Sequence, residues 1–62
     1  MRLDEKIAVR LAYRHHRLSS NGPVEINEED YWELILTDSV RATYLALARE
    51  AVYMIRKDDA GE

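Results

Sequence analysis

The sequence predicts an all-α domain of three helices, at about residues 3–18, 28–36 and 39–57, with the third the longest. Three observations carry that expectation. Apolar residues recur at helical spacing in both halves of the chain. Asn21-Gly22-Pro23 interrupts the pattern with residues that end helices. The apolar phase then reverses at Thr37-Asp38-Ser39, which divides the rest of the chain in two.

The first helix places Leu3, Ile7, Leu11 and Leu18 on one stripe, with Ala8 and Ala12 beside it and Val9 and Tyr13 on the side away from it. Asp4 and Glu5 in its first turn and Arg14 and Arg17 near its end suit the helix dipole. Asn21 or Gly22 is expected to supply a left-handed cap, and Pro23 blocks continuation. Val24-Glu25-Ile26 reads as a short extended link. Asn27 is the expected N-cap of the second helix, with Glu28, Glu29 and Asp30 behind it. Asp30 takes the third position of a loose capping box, and Ile26 and Tyr31 stand at staple spacing. Thr37, Asp38 and Ser39 offer three candidate caps for the third helix. Its apolar arc is broad: Val40, Tyr44, Leu45, Leu47, Ala48, Ala51, Val52, Met54 and Ile55. Residues 58–62 form a polar, acidic tail expected to fray.

Size and composition bound the rest. Sixty-two residues hold one domain, 1–62. With no cysteine there is neither a disulfide framework nor a thiolate zinc site, and the lack of such staples points to a cytoplasmic setting. The charged N-terminus does not resemble a secretion signal, and the longest apolar runs, Tyr44 to Ala48 and Ala51 to Ile55, are too short to span a membrane. A chain of this length buries only about 60% of the surface that its unfolded form exposes, which favours association. The net charge of −3 is unevenly spread. Residues 1–20 set Arg2, Lys6, Arg10, Arg14 and Arg17 against Asp4 and Glu5, whereas residues 21–40 carry Glu25, Glu28, Glu29, Asp30, Glu33 and Asp38 and no base.

Catalytic chemistry finds no foothold. The serines lie in no nucleophile elbow, two glycines cannot build a phosphate loop, and neither His15 nor His16 has a second ligand three or four residues away. No enzyme activity, cofactor or metal is expected. Arg2, Lys6, Arg10, Arg14 and Arg17 line one edge of the first helix and could contact a polyanion or an acidic partner. Helices two and three can be drawn as a helix-turn-helix, and residues 24–26 with those helices as a ribbon-helix-helix. The acids of helix two and the outward Glu25 oppose both.

Aromatic and small apolar residues give the stronger pointer, because Trp and Tyr are favoured in protein interfaces. Tyr13, Trp32, Tyr44, Leu45, Ala48, Val52 and Ile55 are the expected interface residues. The expected function is a small protein-interaction module (adaptor, inhibitor or regulatory subunit) that pairs with itself as a homodimer or with another protein. The alternative is a nucleic-acid-binding regulator that uses the basic edge of the first helix.

Overall fold

The computed structural model describes residues 1–61 and contains three helical segments, with no strand among the described residues. Helix α1 runs Leu3–Ser19. The second segment, α2, starts as the short α-helix Glu28–Asp30 and widens into a π-helical turn over Tyr31–Ile35. Helix α3, Asp38–Gly61, is the longest. The all-α, three-helix architecture is therefore present, and residues 24–26 form no ribbon.

The helix starts obey their local chemistry. Asn27 caps α2: its side-chain oxygen accepts the Asp30 N–H at 2.8 Å, and its amide donates back to the Asp30 carboxylate at 3.2 Å. Thr37 is the cap of α3, its hydroxyl accepting the Val40 N–H at 3.3 Å. Leu36 is extended, with ψ of 142°, so α2 and α3 are separate helices, as the phase reversal requires.

Three details differ from the sequence expectation. Among the described residues none takes a positive φ after α1. Ser20 is extended instead, with its N–H on the Arg17 carbonyl, while the Ser19 hydroxyl donates to the His15 carbonyl. The Ser20 contact occupies a terminal carbonyl that a left-handed glycine cap would otherwise satisfy. At the other end of the chain, helix continues past Lys57 through Asp58 and Asp59 to Gly61, since nothing in that turn breaks it; Glu62 lies outside the described residues. The end of α2 is a π turn, closed by the Leu36 N–H on the Tyr31 carbonyl at 3.3 Å, rather than regular α-helix.

Helices α1 and α3 lie antiparallel. Asp4, near the start of α1, meets Arg49, whereas His15, near its end, meets Tyr44. Their contact is made of small side chains: Ala8, Ala12 and Ala48 are almost completely buried, with Val9 and Val52 beside them. The buried positions step by four along each helix, Asp4-Ala8-Ala12 and Ala48-Val52, forming the i±4 rows that interdigitate when helices pack. Alanine rows let the backbones approach closely, so the larger residues are displaced outward. The leucine stripe of α1 consequently faces solvent: Leu3, Leu11 and Leu18 are all exposed.

Arg41 joins α2 to α3. Its guanidinium donates to the carbonyls of Trp32 and Glu33 at 3.1 and 3.3 Å and pairs with Asp38. A cation at the end of a helix satisfies carbonyls that have no partner in the next turn.

Candidate functional site

The sequence-predicted interface residues separate into two groups. Ala48 and Val52 are buried against α1 inside the chain, so they are core. Tyr13, Trp32, Tyr44 and Leu45 are half-buried, and Ile55 is exposed. Tyr13 is engaged internally, its hydroxyl donating to the Ile26 carbonyl at 2.7 Å and its ring meeting Tyr31 edge-on at 6.0 Å. His16 stacks on the same Tyr31 ring at 4.3 Å, and His15 Nδ1 lies 2.8 Å from the Tyr44 hydroxyl. This aromatic cluster fastens the end of α1 to the other two helices. Burial, with Tyr44 close by, raises the Tyr31 pKa above the ordinary tyrosine value.

The basic edge is partly neutralised by the chain itself. Arg10 Nε donates to Glu28 at 3.0 Å, a contact between the basic first segment and the acidic second one. Arg2 pairs with Asp4 at 3.3 Å. Lys6, Arg14 and Arg17 are exposed and form no ion pair among the described residues.

Asp4 is the one buried charged residue among those described. Its Oδ1 accepts from the Glu5 N–H at 3.0 Å and faces Arg2, while Oδ2 accepts from Arg49 Nε at 3.2 Å. Burial alone pushes this carboxyl up. Arg49, Arg2 and the Glu5 N–H together outweigh it and hold Asp4 below the ordinary value of 3.8. It is therefore an ionised strut between α1 and α3. Beside it, Arg49, Val52, Tyr53 and Arg56 line an open cleft with Arg2 and Leu3.

A second open feature is apolar. Leu3, Leu11 and Leu18 on α1 are joined in exposure by Val40, Leu47, Met54 and Ile55 on α3. Helical rotation and the antiparallel arrangement place most of them on one side. At about 100° per residue, Ile7, Leu11 and Leu18 lie on one flank of the Ala8–Ala12 row, with Leu3 further round the helix at the Arg49–Arg56 cleft, and Val9 and Tyr13, which face α2, on the other. On α3, Val40, Leu47, Ala51 and Ile55 lie on one flank of the Ala48–Val52 row, with Leu45 on the other and Arg41, in line with the row, reaching α2 through its long side chain. Two right-handed helices viewed from one end rotate in opposite senses when antiparallel. Both apolar flanks therefore fall on the face of the α1–α3 pair turned away from α2, with Met54 at its outer edge. No Asp, Glu, Lys or Arg lies among Val40, Leu47, Ala51 and Ile55, whereas on α1 the exposed Arg14 stands within the stripe, three residues after Leu11 and four before Leu18.

The expected interface residues include Tyr44 and Ile55 near this face but not Leu11 or Leu47, which the sequence places on the stripe of α1 and in the broad arc of α3 without showing which part of either stays open. Their signal was present in the competing alanine row at the same four-residue step. No protein-family model, curated protein or solved structure matches the chain. No helix among the described residues is long and apolar enough to cross a membrane.

Proposed function

We propose that this chain is a protein-interaction module that docks another polypeptide on the apolar face of its α1–α3 pair. The observation that carries this reading is unburied area. The chain exposes 5046 Å², whereas a compact monomer of 7.3 kDa exposes about 4,200 Å². Summed over the whole elongated chain, the excess is roughly 900 Å², of the order of the ~800 Å² that each partner contributes to a standard protein interface. The shape agrees: the extents are 44 × 22 × 18 Å and the radius of gyration is 13.4 Å, against about 10.6 Å for a compact domain of this length. The α3 stripe from Val40 to Ile55 carries no formal charge, the composition favoured at the centre of an interface.

The test is cross-linking in the native host with Leu47→Lys and Ala46→Lys as matched controls. Leu47 is on the apolar face and Ala46 is an exposed residue on the opposite flank of α3. A defined cross-linked species that persists in Ala46→Lys and is lost in Leu47→Lys supports the reading. A species unaffected by Leu47→Lys, or none with any of the three chains, contradicts it.

A further inference from the structure

We infer that the occupant of the apolar face is a second copy of this chain, the two α1–α3 pairs stacking face to face as a four-helix bundle with each α2 on the outside. The inference rests on the protein-interaction reading and adds the identity of the partner. Three observations favour a copy over a different protein.

The first is need. The core holds Ala8, Val9, Ala12, Ala48 and Val52, and among the described residues no large side chain is fully buried. A single chain thus withdraws only small side chains from water, and each methylene it leaves exposed is hydrophobic stabilisation forgone. Leu3, Leu11, Leu47 and Ile55, between 44% and 60% exposed, are the large aliphatic residues that a core of this size lacks.

The second is area. The excess surface of one chain is about what one side of a dimer buries, and a two-fold interface uses the same patch on both partners. The third is the character of the face. It is formed by two antiparallel helices, its α3 stripe carries no formal charge that would select a complementary partner, and it presents Leu and Ile that interdigitate with their own kind in helical bundles. Charge pairing between chains is not required, because Arg10 already meets Glu28 within one chain.

This assignment moves the interface from Val52 to Leu11 and Leu47. Val52→Glu would disrupt the chain's own core, whereas Leu11 and Leu47, 44% and 57% exposed, lie outside the core of Ala8, Val9, Ala12, Ala48 and Val52.

Sedimentation equilibrium of the full chain at tens of micromolar, with helicity followed by circular dichroism, tests the inference. The wild type is expected at twice 7.3 kDa. Leu47→Lys and Leu11→Glu, on different helices, should each weaken self-association by about 100-fold or more, since each change enters the interface twice. Ala46→Lys should remain dimeric. A monomeric wild type overturns the inference, as does a dimer that neither Leu11→Glu nor Leu47→Lys weakens. Binding of the apolar dye 8-anilinonaphthalene-1-sulfonate separates this failure from failure of the broader reading. A monomer that binds the dye and loses it in Leu47→Lys retains an open docking face for another protein. A monomer that binds none has no such face, and both readings fall.

Discussion

Asp4 and Thr37 show how much of this fold depends on single polar side chains. Asp4 is ionised in the folded chain and held below its ordinary value by Arg49, Arg2 and the Glu5 N–H. A carboxyl whose folded pKa is depressed contributes its stability above the unfolded value and loses it as pH falls through the folded one. Melting temperature should therefore fall as pH drops from about 5 toward 2, and Asp4→Asn should be less stable at neutral pH and flatter over that window. A variant with the wild-type acid slope would show that other carboxylates set it. Thr37→Ala should cost about 1 kcal/mol in urea unfolding, the usual loss of an N-cap. Asp38→Ala should cost about 0.5 kcal/mol or less, because its side chain is 97% exposed. Equal losses would mean that the cap is misassigned. These polar features were partly legible in sequence. Asn27 and the 37–39 break were readable because capping is local, whereas the burial of Asp4 depends on Arg49, distant in sequence and brought near only by the antiparallel fold.

Between elements, the decisive choice is which stripe of α1 meets α3. Hydrophobicity favours leucine, but close approach favours alanine, and the alanine row prevails here. Periodicity locates an apolar face; it does not weigh the separation of two axes against the volume between them, which is why the leucines could not be placed from sequence. Ala12→Leu should therefore destabilise by about 1–3 kcal/mol, although it adds apolar surface and keeps helix propensity, because the added volume has nowhere to go. Leu34→Ala, at a residue 73% exposed, should stay within about 0.5 kcal/mol. Chemical denaturation of the two variants checks the pair, and a stabilising Ala12→Leu would show that the helices are not in close contact. The π turn at Tyr31–Ile35 was likewise hidden, since an N-cap signal marks where a helix starts and says nothing about how its last turn closes. Arg41, which also invites reading as the opening of a DNA-recognition helix, instead holds the final carbonyls of that turn.

For the whole molecule, the shortage of buried surface foreseen from chain length takes a definite form: an elongated α1–α3 pair with α2 packed on α1 and the large aliphatic side chains left exposed. The charge asymmetry was legible as a potential for pairing, and part of it closes within the chain through Arg10 and Glu28. Whether the open face is filled by an identical chain is tested most directly by the concentration dependence of thermal unfolding. A dimer that melts to separate chains gains stability by mass action. With roughly 0.7 kcal/mol of unfolding enthalpy per residue, a 100-fold rise in concentration should raise the Tm by about 10 °C, and Leu47→Lys should abolish the dependence. A wild-type Tm that stays constant across that range would contradict the account.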